Sequence, residues 1–175
     1  MFKFLYPSNI KTRSFDIDYE EMYRRGFRGI MFDIDNTLVE HDEPATEASV
    51  QLFKRLHEIG FKTCLISNNK DYRVKPFADA METDYVYKAG KPKKCGYQEG
   101  MRKMGTTKKD TFFVGDQIFT DIWGANRAGV YSVLVRPLAK HEEIQIVLKR
   151  IIEKPIINSY LRYRSNRRLE LAKKR

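Results

Sequence analysis

Short apolar runs alternate along this chain with segments of helical periodicity, and glycines or polar clusters separate them. Asp18–Arg25 reads as a short helix stopped by Gly26, and Gly29–Ile34 as a buried strand ending among carboxylates. In Thr46–Ile59 the apolar positions Val50, Phe53, Leu56 and Ile59 share one face of a helix that Gly60 ends. Lys62–Ile66 is again strand-like and closes on Ser67-Asn68-Asn69. The alternation continues with a helix over Asp71–Ala80, a strand over Asp84–Tyr87 and a helix over Lys93–Met104. A strand over Thr111–Val114, a helix over Phe119–Ala128 and a strand over Val130–Val135 follow. Residues 1–15 are aromatic-rich and show no regular period. Strands alternating with helices of about ten residues predict parallel β-α-β units. The fold class is therefore α/β: a Rossmann-like parallel sheet with helices on both faces.

In such a sheet a ligand lies beyond the carboxyl ends of the strands, so polar residues just after each strand are the candidates for chemistry. Four sets meet that condition: Asp33-Ile34-Asp35-Asn36-Thr37-Leu38, Ser67-Asn68-Asn69, Lys91-Pro92, and Gly115-Asp116-Gln117 with Asp121 five residues beyond Asp116. Asp33 and Asp35 can both approach one point where a strand opens into a loop. Converging carboxylates repel unless a cation sits between them. An oxygen-only donor set, to which Asp116 and Asp121 add, favours a hard ion such as Mg²⁺. Ser67, the backbone amides near Asn68, and Lys91 supply the donors and positive charge that a phosphate needs. Each set alone has an ordinary structural explanation. Asp-x-Asp and Gly115-Asp116 occur in turns, Ser67-Asn68-Asn69 suits a helix cap, and lone lysines are mostly solvated. An EF-hand loop starting at Asp33 fails, because its sixth position is Leu38 and its twelfth Pro44. Order and placement together point to one phosphate site.

These ordered motifs resemble those of the haloacid dehalogenase-like hydrolases. Phe32–Glu40, Ser67–Asn69, Tyr87–Pro92, Val114–Asp121 and the entry Phe4-Leu5-Tyr6-Pro7 more closely resemble its YqeG-like (type IIIA) branch, which is similar to the mitochondrial phosphatidylglycerophosphate phosphatases. The resemblance covers roughly residues 1–155 and implies the following roles. Asp33 attacks phosphorus to form an aspartyl phosphate, and Asp35 acts as general acid and then general base. Mg²⁺ is held by Asp33, the Asp35 backbone carbonyl, Asp116 and Asp121. Ser67 and Lys91 hold the phosphate oxygens, Asn68 adds a contact, and Thr37 orients the loop. Family members often insert a cap domain after the first motif or between the second and third. Here Thr46 follows Leu38 by eight positions and 23 residues lie between Ser67 and Lys91, too few for a cap in either place. An uncapped site suits a phosphate carried on something large. The branch resemblance implies phosphatidylglycerophosphate, converted to phosphatidylglycerol.

Composition places limits around this reading. With 42% apolar and 13% aromatic residues, the chain is not disordered as a whole. Cys64 and Cys95 form no disulfide framework and no zinc motif. No apolar run approaches the roughly 20 residues that cross a bilayer, and Met1–Pro7 is too short for a signal peptide. A cytoplasmic protein, peripheral on the membrane at most, is the expectation. The net charge of +10 is uneven: residues 149–175 carry ten Lys/Arg against Glu153 and Glu170. Ile144, Val147, Leu148, Ile151 and Ile152 suggest a last helix over 141–153 packed on the sheet, interrupted at Pro155. This divides the chain into a catalytic domain, 1–154, and a basic tail or interfacial helix, 155–175. Tyr160, Tyr163, Arg162, Arg164, Arg167 and Arg168 suit anionic phospholipid at a membrane surface. They also suit RNA, on a rival reading as a nucleic-acid- or ribosome-associated protein. A phosphoprotein phosphatase is a third reading. His41, His57 and His141 have no metal partner at a recognised spacing, although His41 follows the first motif closely. Cys64 reads as a core residue and Trp123 as packing.

Overall fold

A computed structural model describes the backbone of residues 2–138 and 144–173, and the side chains of 2–138 and 151–167. His141 and residues 141–143 of the expected last helix therefore lie outside the described residues.

The elements in chain order are β1 (Asn9–Ile10), α1 (Tyr19–Arg24), β2 (Gly29–Phe32), α2 (Glu47–Ile59), β3 (Lys62–Ile66) and α3 (Asp71–Ala80). After them come β4 (Asp84–Val86), α4 (Cys95–Met104), β5 (Thr111–Gly115), α5 (Trp123–Ala128), β6 (Tyr131–Leu134) and α6 (Ile144–Lys173). The six strands form one sheet in the order β1-β6-β5-β2-β3-β4, and every neighbouring pair is parallel. The order reverses direction at β2, flanked by β5 and β3, which is where an open parallel sheet forms its crevice.

Alternation along each strand explains the two-faced burial. Ile30, Phe32, Leu65, Phe112 and Val114 pack against α1, α2 and α3 through Tyr19, Leu52, Phe53, Leu56 and Phe77. The intervening Met31, Cys64, Ile66 and Phe113 pack on the other face against Tyr97, Met101, Met104 and Ala125 of α4 and α5. Each fully buried Phe or Leu contributes roughly 1.5–3 kcal/mol. Local signals set the helix ends: Thr46 and Ser49 cap α2 reciprocally, and Gly60, at φ 106°, ends it.

Three features depart from the sequence reading. Residues 1–15 are not wholly irregular: Asn9–Ile10 pairs with Val133 and Leu134 as an edge strand too short to show a period. The segment before α5 is a π-helical turn, Ile118–Ile122, rather than a regular helical start. Pro155 does not interrupt the last helix, which runs through it from Ile144 to Lys173. A proline in a helix interior costs about 3 kcal/mol, and here tertiary contact offsets it. Ile156 and Tyr160 are buried against Leu5, Tyr6, Ile118, Ile122 and Leu134. Ile151 and Ile152, read as packing on the sheet, are instead more than half exposed, while Glu153 beside them is buried. The expected boundary at residue 154 thus falls within a continuous helix. No inserted domain stands between β2 and α2 or between β3 and β4, so the carboxyl edge of the sheet is uncapped.

Candidate active site

Asp33, Ser67, Lys91, Asp116 and Asp121 come from four separate strand ends and all are buried. Asp33 follows β2, and its amide donates to Val114 O (2.9 Å), which extends the β2–β5 pairing to the carboxyl edge of the sheet. Lys91 is the link among the sets. Its Nζ lies 2.6 Å from Asp33 Oδ1 and 2.7 Å from Asp121 Oδ1. Asp33, Asp116 and Asp121 each offer an oxygen to a group whose atoms lie within 4.8 Å of one another.

Asp121 is held from three sides. Lys91 meets Oδ1, the Gln117 amide donates to Oδ2 (3.0 Å), and the Tyr97 hydroxyl donates to the Asp121 carbonyl (3.0 Å). The π-helical turn sets this carboxylate against Gly115. A Cβ added there would lie 2.7 Å from Asp121 Cβ, Cγ and Oδ2, so only glycine fits. Lys91 is held through its backbone. Its amide donates to Asn68 Oδ1 (2.7 Å), the Asn68 carboxamide donates to its carbonyl (3.1 Å), and the Lys91–Pro92 bond is cis. The Asn68 side chain, expected at the phosphate, is therefore engaged in placing Lys91. Ser67 Oγ accepts from the Asn69 amide (3.1 Å) and keeps its own proton to donate.

Thr37 is fully buried, and its hydroxyl has no hydrogen-bond partner among the described residues. Its carbonyl accepts from Ser14 Oγ (2.7 Å), and the Tyr19 hydroxyl donates to the Ser14 carbonyl (2.7 Å), so the amino-terminal lead-in braces the first-motif loop. Asn36 turns that loop at φ 63°, a left-handed position that asparagine tolerates.

Asp35 does not join the Asp33 cluster. Its Oδ2 accepts from Asn69 Nδ2 (2.8 Å) and its Oδ1 from Arg73 Nη2 (2.7 Å) and the Asp42 amide (3.2 Å). Arg73 Nη2 also donates to the Glu43 carbonyl (2.9 Å), tying α3 to the loop that leaves β2. His41 Nδ1 lies 3.9 Å from Asp35 Oδ1. Sequence reasoning missed Arg73, Tyr97 and Gln117 as partners of the site. Arg73 looks like any solvated arginine on a helix. The apolar spacing of α4 predicts burial of Tyr97 but says nothing of its hydroxyl.

Burial dominates the electrostatics. It pushes the Asp33 carboxyl up to about 7, with Lys91 opposing the rise and Asp121 adding to it. Burial also works against the Lys91 ammonium, but Asp121 and Asp33 more than offset it and hold Lys91 above the ordinary lysine range. Lys91 pairs with Asp33 and Asp121, and the three buried carboxylates offer only oxygen ligand atoms. That donor set fits a hard divalent cation. Of the remaining residues, Cys64 is fully buried in the core, and Trp123 packs beside Phe4 at 6.1 Å between ring centroids. His57 bonds Thr63 Oγ1 (2.8 Å) away from the site.

The family model of haloacid dehalogenase-like hydrolases matches residues 41–129. The chain is 35% identical over 161 residues to the probable phosphatase YqeG of Bacillus subtilis, covering 91% of this chain and 94% of that protein. It is 32% identical over 159 residues to phosphatidylglycerophosphate phosphatase 1, chloroplastic/mitochondrial, of Arabidopsis thaliana. That match covers 83% of this chain but only 45% of the plant protein. NagD from Escherichia coli K-12 shares the fold with a TM-score of 0.54 at 13% identity, over 69% of this chain and 91% of NagD.

Proposed function

This chain belongs to the haloacid dehalogenase-like hydrolases and is a phosphatase of that family, and we propose that it hydrolyses phosphate monoesters through an aspartyl phosphate on Asp33, with Mg²⁺ as cofactor. The observation that carries the reading is the convergence of Asp33, Asp116 and Asp121 at the carboxyl edge of the sheet, with Lys91 bridging Asp33 and Asp121. Asp33 is the nucleophile. An attacking carboxylate splits one difficult displacement into two easier ones. Lys91, 2.6 Å from Asp33 Oδ1, meets the nonbridging oxygens of a phosphoryl group brought to that carboxylate, and the Ser67 hydroxyl donates to another. Asp35 protonates the leaving alkoxide and then takes a proton from the water that cleaves the intermediate. Arg73 and Asn69 fix its carboxylate meanwhile. Asp33, Asp116, Asp121 and the Asp35 carbonyl would hold Mg²⁺, which offsets repulsion between carboxylates and phosphate when bound.

The substrate we propose is phosphatidylglycerophosphate at a membrane surface. Two observations support it: the name of the Arabidopsis relative, and an open site on a chain with a basic carboxyl-terminal helix. Tyr163, Arg164 and Arg167 of that helix share a groove with Lys3 and Tyr6, a mixture suited to an anionic interface. Among the described residues no helix is long and apolar enough to cross a membrane, so this contact is peripheral. The test is release of inorganic phosphate with Mg²⁺ from phosphatidylglycerophosphate in vesicles, a phosphopeptide and a nucleotide. Preferred turnover of the lipid is expected. Faster turnover of the phosphopeptide or nucleotide overturns the lipid assignment, and none from any substrate overturns the catalytic one.

A further inference from the structure

Beside the catalytic carboxylates lies a cavity of about 350 Å³, within the size range of ligand pockets. Its walls are largely aliphatic: Leu134 and Val135 at the end of β6, and Ile157 and Leu161 on α6. Asp116 also lines it, so cavity and carboxylate cluster share a residue. Asp116 and Glu153 lie at its buried side, and the Glu153 carboxylate accepts from the Ile118 amide (2.7 Å). Arg136 and Lys154 line its exposed side, and neither forms an ion pair among the described residues. One face is therefore apolar, its outer edge is cationic, and its inner end is bounded by Asp116 of the carboxylate cluster. An amphiphile with an aliphatic chain and an anionic head matches that distribution.

We propose that this cavity is a subsite for an aliphatic part of the leaving group, with Leu161 and Ile157 as the residues that confer selectivity for it. The proposal rests on the phosphatase reading of the adjoining cluster and adds to it where the substrate's apolar portion sits. It gives α6 a role in substrate choice. Without α6 the ends of β5 and β6 would lack the Ile157–Leu161 wall.

The experiment measures calorimetric affinity of the full chain, with Mg²⁺, for butyl-, hexyl- and octylphosphonate, which cannot be hydrolysed. Hydrolysis of the matching alkyl phosphates and of glycerol 3-phosphate is followed in parallel. Affinity should rise about fourfold per added methylene while the chain fills the cavity. Leu161→Glu should flatten that dependence and Leu161→Ser should reduce it, with the circular dichroism spectrum unchanged in both. Leu161 is half exposed, so both variants keep the core intact. Affinity independent of chain length, or a dependence unchanged in both variants, overturns the subsite even if every ester is hydrolysed. Length-dependent binding that Leu161→Glu abolishes, with no ester hydrolysed, upholds the subsite and overturns the phosphatase reading instead.

Discussion

Asp33 and Asp35 stand two residues apart on one loop, yet they occupy different electrostatic surroundings. Around Asp33, three carboxylates lie close together, the Lys91 ammonium bridges Asp33 and Asp121, and all four side chains are buried. Around Asp35, one carboxylate is matched by the Arg73 guanidinium, an amide from Asn69 and a backbone N–H, with the more exposed His41 and Asp42 nearby. The first arrangement sets two carboxylates on one buried ammonium with a third carboxylate beside them. The second gives one carboxylate its own guanidinium. Environments that differ in this way let two identical side chains take different roles, which the proposed mechanism asks of Asp33 and Asp35.

The largest test of that contrast is Asp33→Asn. It should lower turnover by at least about 10³-fold, roughly 4 kcal/mol in barrier height, with the circular dichroism spectrum unchanged. A tenth of the parent rate in the folded variant would place the nucleophile elsewhere. Lys91→Met, which strands the buried Asp33 and Asp121 carboxylates, should destabilise the protein by about 3–5 kcal/mol in chelator, read from urea unfolding. Millimolar Mg²⁺ should restore part of that loss, because a ligand bound only by the folded state stabilises it. Arg73→Gln should cost about 2 kcal/mol through the lost charged hydrogen bond, with no recovery in Mg²⁺. Equal rescue of both variants by Mg²⁺ would erase the distinction between the two surroundings. Asn69→Ala, which removes one donor to Asp35, should cost about 1 kcal/mol and sharpen the estimate of how evenly that carboxylate is shared.

How much of this was legible in the sequence varied by region. Strands β2, β3 and β5 are buried on both faces and read as continuous apolar runs, so their ends located Asp33, Ser67 and Asp116. The two-residue β1 was invisible because pairing with β6, not its own pattern, makes it a strand. The last helix misled for a related reason. Its apolar residues fall on more than one face, and what covers them decides which face is inward. Contact with the amino-terminal lead-in and the π-helical turn buries Ile156 and Tyr160 and leaves Ile151 and Ile152 in solvent.

By itself the order of residues determined the α/β class, the alternation of elements and the four strand ends that bear polar groups. These depend on periodicity and on turn residues, which act between near neighbours in the chain. Only the tertiary structure decided that Lys91 spans Asp33 and Asp121, that Arg73 and not the Asp33 cluster receives the Asp35 carboxylate, and that α6 walls a cavity beside Asp116. Such pairings join groups 30 to 58 positions apart. Their strength depends on burial and on distances of a few ångströms, quantities that exist only once the sheet has brought its strand ends together.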